Sequence, residues 1–227
     1  MQKWFLQTTT GLKSDEYTDY DKAVADADEK AYLGYYVADE KGDFKYGKYN
    51  LTVLNILAFA KRNADYMREY EWKYGDASLN PYLTKEEKIV SCDRFVGWVL
   101  GDAGYTQWQP SVKGLPLFGH KLDGIEGSIE TFLKLHGFQR IEKVEDVKAG
   151  DVIFVGHARK EVLLSEEMRE YPSHTYILAG DYTAIEEPVY RYDSGSDARI
   201  QSVQPSCEVI CVPEKTFRFA YRAPVKS

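Results

Sequence analysis

The hydrophobic pattern of the chain changes near residue 149, and this change limits the folds that the chain can adopt. Before that point, apolar residues recur every three or four positions, as in amphipathic helices, in the segments 51–71, 92–104 and 128–136. After it, short runs rich in Val, Ile and Tyr are typical of strands, at 151–155, 173–180, 188–193, 207–212 and 216–222. Helices followed by consecutive strands predict an α+β fold with an antiparallel sheet.

The first 48 residues carry a separate and shorter pattern. A strand at 3–8, a helix at 19–33 and strands at 35–38 and 44–46 predict a small β-α-β-β unit. So short a unit buries little apolar surface, so we expect it to pack on the rest of the chain. The predicted organisation is an accessory or binding unit over 1–48 and a main domain over 49–227. The unit either binds a cell wall or partner or is a structural cap.

Composition argues against several functional classes. The 227 residues carry a formal net charge of −7, which argues against nucleic-acid binding and against electrostatic attachment to anionic membranes. No apolar run approaches the length of a membrane span. The N-terminus lacks the features of a signal peptide, so we expect synthesis in the cytoplasm. The oligomeric state is not indicated.

Three cysteines are too few for a disulfide framework. Cys207 and Cys211 lie in a strand-like run and are interpreted as core residues. Cys92 opens a predicted helix whose buried face is formed by Phe95, Val96, Val99 and Leu100. A thiol in a first helical turn faces unpaired N–H groups and the positive end of the dipole, which favour the nucleophilic thiolate. A buried structural cysteine is the alternative interpretation.

His174 and Asp193 lie on neighbouring predicted strands. Cysteine hydrolases need a thiol, a base beside it and a group that orients the base. If the helix of Cys92 packs on the sheet, its thiol can face the imidazole of His174. The carboxylate of Asp193 can then hold the other ring nitrogen. These three residues are therefore the candidate catalytic set.

Several segments resemble the motifs of the NlpC-like cell-wall cysteine peptidases. Tyr74-Gly75-Asp76 and Ser91-Cys92-Asp93-Arg94-Phe95-Val96 resemble the family's aromatic-Gly-Gly patch and its Asp-Cys-Ser-Gly-Phe/Leu-Val helix start. Ala149-Gly150-Asp151-Val152-Ile153-Phe154 resembles its Pro-Gly-Asp-Leu-Val-Phe strand. Ser173-His174-Thr175-Tyr176-Ile177 resembles its His-Val-Gly-Ile strand, and Asp193 falls where the family has a third polar residue. The resemblance covers roughly residues 50–222 and extends to the CHAP amidases, which share the same core.

The resemblance implies a papain-like core, with helices packed on a C-terminal antiparallel sheet, that hydrolyses amide bonds in bacterial peptidoglycan stem peptides. It implies Cys92 as nucleophile, His174 as base and Asp193 as orienting residue, with Asp197 as the alternative. N–H groups near the start of the Cys92 helix would stabilise the oxyanion. No metal or organic cofactor is implied.

The chain departs from the family pattern around the cysteine. Ser91 replaces the usual Asp, which is expected to bind the free amine of the stem, and Asp93 and Arg94 replace a small Ser-Gly pair. We expect these three residues to contact substrate, together with Tyr74 on the cleft wall, for which Trp72 is the alternative. The departures predict a stem specificity different from that of the family.

The leading hypothesis is a peptidoglycan endopeptidase or amidase of the phage-lysin type, released to the wall through a holin or by non-classical export. A related acyltransferase would use the same thiol and imidazole. A non-catalytic wall-binding or protein-binding module on the same fold is the third hypothesis. The set of Cys92, His174 and Asp193 favours an enzyme, since a binding module has no need of all three.

Overall fold

The computed structural model describes residues 2–71, 73–74, 89–90, 92–105, 129–156, 174–181, 190–193, 201–205 and 217–225. The helices in these ranges are α1 (Tyr20–Glu29), α2 (Leu51–Glu69), α3 (Cys92–Asp102) and α4 (Ile129–Leu135), with 3₁₀ turns at Ala31–Leu33 and Val144–Asp146. The strands are β1 (Trp4–Gln7), β2 (Lys13–Tyr17), β3 (Tyr36–Ala38), β4 (Phe44–Tyr46), β5 (Lys73–Tyr74), β6 (Ile89–Val90), β7 (Gln139–Ile141), β8 (Val152–Val155), β9 (His174–Leu178), β10 (Tyr190–Asp193), β11 (Gln201–Pro205) and β12 (Phe217–Arg222). The described residues thus form a mixed α+β structure whose two larger sheets are antiparallel, as predicted.

The N-terminal sheet has the strand order β2-β1-β3-β4 and lies between two helices. On one face, Leu6 and Val37 pack with Ala23 and Ala27 of α1. On the other face, Tyr36 and Ala38 pack with Leu54 of α2. Alternate residues of β3 therefore point to opposite faces, and both faces are covered.

The predicted β-α-β-β order of this unit is wrong by one strand. The additional strand, β2, has the sequence Lys-Ser-Asp-Glu-Tyr and pairs with β1 at the edge of the sheet. Only Tyr17 of this strand is buried. Edge strands often carry polar residues on both faces, so the alternation that reveals a strand in a sequence is missing here.

The turn between α1 and β3 packs directly on α2. Gly34 has a left-handed backbone with a φ of +82°. A Cβ atom at this position would lie 2.5 Å from the amide nitrogen of Ala58 and 2.6 Å from the carbonyl oxygen of Leu54. The close approach of the two backbones thus requires glycine.

The larger sheet has the strand order β11-β10-β9-β8-β12-β7. Side chains of α2 and α3 cover one face, where Leu57 and Val96 belong to the same core as Phe154, Ile177 and Tyr192. A second cluster, on the alternate residues of these strands, contains Ile153, Tyr176, Leu178 and Ala220. On the face covered by α2 and α3, α3 packs against β9, a central strand of the sheet.

Strands β8, β9, β10 and β12 appear where the sequence predicted strands, within two residues at each end. The predicted strand at 207–212, with Cys207 and Cys211, lies outside the described residues. The sequence did not indicate β7 or β11. Of the three residues in β7 only Ile141 is buried, so this strand has no hydrophobic repeat to detect.

No helix in the described ranges combines the length and the apolar character needed to span a membrane.

Candidate active site

Cys92 is the first residue of α3, and the sequence explains why the segment that follows is a helix. Phe95, Val96, Val99 and Leu100 form its buried face, and the chain leaves the helix at Gly104, whose φ is +84°. The N–H group of Tyr105 then donates to the carbonyl oxygen of Leu100, which closes the helix end. The thiol of Cys92 is free and half-buried.

His174 opens β9, and Asp193 ends β10 on the neighbouring strand. The antiparallel register pairs Arg191 with Leu178 and Tyr192 with Ile177, which makes Asp193 a diagonal neighbour of His174 on one face of the sheet. The Nε2 atom of His174 lies 2.8 Å from Oδ1 and 2.9 Å from Oδ2 of Asp193. The side chain of Asp193 is 3% exposed, so this contact is shielded from water.

The thiol of Cys92 also lies next to His174 and raises the pKa of the imidazole. Because Nε2 faces Asp193, the Nδ1 atom remains for the thiol. Burial lowers the pKa of His174, but the hydrogen bonds to Asp193 and Cys92 and the charges of both partners outweigh it and raise this pKa to about 10. The imidazole therefore carries a proton across the neutral pH range.

The imidazolium beside the thiol and the start of α3 both place positive charge at Cys92. The three side chains form one line of contacts, from the thiol through the imidazole to the carboxylate. Such a line can attack a carbonyl carbon and then deliver a proton to the group that leaves. The structure brings together Cys92, His174 and Asp193, the three residues predicted from the sequence. Their catalytic roles stay predictions.

Asp93 and Arg94, two further predicted site residues, follow Cys92 in the first turn of α3. Asp93 is half-buried, whereas Arg94 is buried with 6% exposure. Burial lowers the pKa of Arg94, and the charge of Asp93 opposes this effect. A buried guanidinium in this turn adds a positive charge close to the start of the helix.

The remaining predicted contacts are less completely described. Tyr74 lies in β5, which pairs in parallel with β6 so that Tyr74 faces Val90. This pairing brings the backbone of Tyr74 beside the residues that lead into Cys92. Trp72, Ser91 and Asp197 lie outside the described residues, as does the side chain of Tyr74.

Arg191 and Tyr176 belong to the same site, and neither was among the residues predicted from the sequence. The Nε atom of Arg191 lies 3.3 Å from Oδ2 of Asp193, and its guanidinium lies 5.0 Å from the ring centroid of Tyr176. The rings of Tyr176 and His174 are 6.1 Å apart. Their positions in the sequence could have revealed them. Residues two apart on a strand share a face, so Arg191 lies on the face of Asp193, and Tyr176 lies on the face of His174.

No model of a protein family, no curated protein and no solved structure matches this chain.

Among the described side chains, no group of three or more His, Cys, Asp or Glu residues is arranged to hold a metal ion.

Proposed function

We propose that this chain is a cysteine hydrolase that cleaves amide bonds in peptidoglycan stem peptides, on a papain-like core of the NlpC type. The observation that carries the proposal is the contact of His174 with both Cys92 and Asp193. The Nε2 atom faces Asp193, which leaves Nδ1 for the thiol. A histidine serving only a structural role has no need of a thiol at a helix start on one side and a buried carboxylate on the other.

The proposed mechanism follows from this geometry. The thiolate of Cys92 attacks the carbonyl carbon of the scissile amide, and a tetrahedral oxyanion forms. Backbone N–H groups at the start of α3 stabilise its negative charge. The imidazolium of His174 gives its proton to the leaving amine, so the C–N bond breaks and an acyl-enzyme remains. Water, deprotonated by His174, then attacks the thioester and releases the acid and the thiol.

Two features support the papain-like arrangement. The helix that begins with the thiol packs on a central strand of an antiparallel sheet. The base and its orienting carboxylate come from consecutive strands of that sheet, in the order Cys, His, Asp along the chain. Thiol hydrolases of this core require that relation between helix and sheet.

The substrate class is proposed from the motifs around Cys92, His174 and Asp193. Within it, Ser91, Asp93 and Arg94 replace the residues that the NlpC-like pattern has next to the nucleophile, so we expect a different preference along the stem. In this proposal the partner is bacterial peptidoglycan. The protein reaches the wall after host-cell lysis, as phage lysins do, or by non-classical export.

The test is mass spectrometry of the soluble fragments that the protein releases from several purified peptidoglycans. Fragments cut within the stem indicate an endopeptidase, and free stems separated from glycan indicate an amidase. Products joined to an added amine indicate an acyltransferase. Cys92→Ala and His174→Ala are expected to release none of them. His136→Ala, which changes an exposed histidine at the end of α4, is the matched control and should remain active.

Iodoacetamide labelling at pH 6 separates an enzyme from an inert module without any substrate. The proposal expects Cys92 to react well ahead of Cys207 and Cys211. If Cys92 reacts no faster than free cysteine and no wall releases fragments, the protein is a binding module and the proposal is wrong.

A further inference from the structure

We propose that Arg191 is a positioning residue of this site, which acts as a second cation on Asp193 and limits how strongly that carboxylate holds the His174 imidazolium. The inference rests on the proposed function of Cys92 and His174, and it assigns a role to a residue outside the set of three.

The contacts of Arg191 fix its guanidinium beside the carboxylate. Arg191 and Asp193 are two residues apart on β10 and share a face, and their Nε and Oδ2 atoms are 3.3 Å apart. The guanidinium also lies over the ring of Tyr176, a side chain that is 1% exposed. A planar cation stacked on a buried ring has little freedom, so its charge stays near Asp193.

The four groups form a line from the Cys92 thiol to Arg191, and the sign of the charge alternates from the His174 imidazolium through the Asp193 carboxylate to the Arg191 guanidinium. The side chain of Asp193 is 3% exposed and that of Arg191 is 17% exposed, so solvent screens these charges only weakly. A buried carboxylate that interacts with a single cation holds that cation more tightly than a carboxylate that interacts with two cations. Arg191 therefore weakens the hold on the imidazolium, which has to release its proton to the leaving amine.

The other charged groups near His174 do not change when Arg191 is substituted. Among the helices and strands that the structure describes, α3, β8 and β10 make the extensive contacts with β9. Of these, α3 carries Asp93 and Arg94 beside Cys92 and Asp102 at its far end, and β8 carries no charged residue. On β10 the charged residues are Arg191 and Asp193 alone. Substituting Arg191 therefore removes one defined charge from a constant background.

The experiment is an NMR titration of the His174 imidazole in the full chain, assigned by loss of its signals in His174→Gln. In Arg191→Met the titration midpoint is expected to move upward by about 1 pH unit, because a cation that opposed the imidazolium is gone. Arg191→Lys keeps the charge and should return the midpoint toward the wild-type value. On a cleaved peptidoglycan, Arg191→Met should lower kcat about tenfold with KM unchanged.

An unchanged or lower midpoint in a folded Arg191→Met protein would overturn the inference. Arg191→Gln supplies a second neutral variant if the methionine variant does not fold. Unfolding of both neutral variants, with Arg191→Lys folded, would assign Arg191 a role in stability instead. The titration needs no substrate, so a shifted midpoint without wall cleavage refutes the proposed function and keeps this inference. Wall cleavage with an unshifted midpoint supports the proposed function and overturns this inference.

Discussion

His174 changes its ionisation between the unfolded and the folded chain, and stability depends on pH as a result. Its pKa is 6.5 as an ordinary imidazole, and contacts with Asp193 and Cys92 raise that pKa to about 10 in the fold. Between these two values the folded chain binds the proton and the unfolded chain does not. The stabilisation is thus complete below pH 6.5 and is lost as the pH rises toward 10.

We therefore predict that the free energy of unfolding falls from pH 7 to pH 10, and that the fall is shallower in His174→Gln. Urea unfolding at a series of pH values measures both slopes. Tyrosines that titrate near the top of this range are common to both proteins, so the difference between the slopes belongs to His174. Parallel slopes in the two proteins would contradict the raised pKa.

The hydroxyl of Thr175, next to His174, is 3% exposed and has no hydrogen-bond partner in the structure. Burying an unpaired hydroxyl costs free energy, so Thr175→Val should stabilise the protein by about 1 kcal/mol. Thr52→Val is the matched control. The hydroxyl of Thr52 is also buried, but it hydrogen-bonds to Tyr105, so this variant should lose about 1 kcal/mol. Equal losses in both variants, measured by urea unfolding, would mean that the hydroxyl of Thr175 is satisfied.

At the scale of elements, the sequence predicted the long periodic helices well and the short strands poorly. The bounds of α2 and α3 fall within two residues of the predicted ones, because each carries several buried residues at helical spacing. Strands β2 and β7 have one buried residue each and were missed. Register was not predictable either. The spacing put Arg191 on the face of Asp193, but only the pairing of β9 with β10 brings that face to His174.

Gly34 allows a prediction about how the N-terminal unit joins α2. An added Cβ atom would meet backbone atoms of Ala58 and Leu54, which cannot move without disturbing the helix. Gly34→Ala is expected to cost more than about 2 kcal/mol of stability. Gly11→Ala is the control, since Gly11 has a similar φ of +86° but nothing within 4 Å of the added atom. It should lose about 1 kcal/mol from backbone strain alone. Equal losses of stability in the two variants, measured from urea midpoints, would mean that the contact between residue 34 and α2 does not contribute to stability.

At the scale of the whole molecule, the N-terminal unit contacts both α2 and the larger sheet. The hydroxyl of Tyr192 donates to the carbonyl oxygen of Tyr32, at 2.9 Å, and links β10 to the turn after α1. Tyr192 stands between Arg191 and Asp193, so this link reaches the strand that carries the candidate site. The predicted boundary between residues 48 and 49 marks a change in the hydrophobic pattern of the sequence. Packing crosses this boundary, since Tyr36, Ala38 and Leu54 form one apolar cluster.

Tyr192→Phe should lower stability by about 1 kcal/mol, because the part-buried hydrogen bond to the carbonyl oxygen of Tyr32 loses its donor. Tyr20→Phe removes a hydroxyl from a more exposed ring and should change stability little. Urea unfolding compares the two variants. If Tyr192→Phe is as stable as the wild type, the two parts of the chain are held together by apolar packing alone.

The position of β12 in the larger sheet has a consequence for how quickly the chain reaches this structure. This strand lies between β8 and β7, and both partners come from much earlier in the chain. Each pairing closes a long loop, and the entropy of closure is lost before the contacts form. We therefore expect slow refolding in which β12 enters last. Until it enters, the edge of β8 stays open to other chains, so dilute protein should refold in higher yield than concentrated protein.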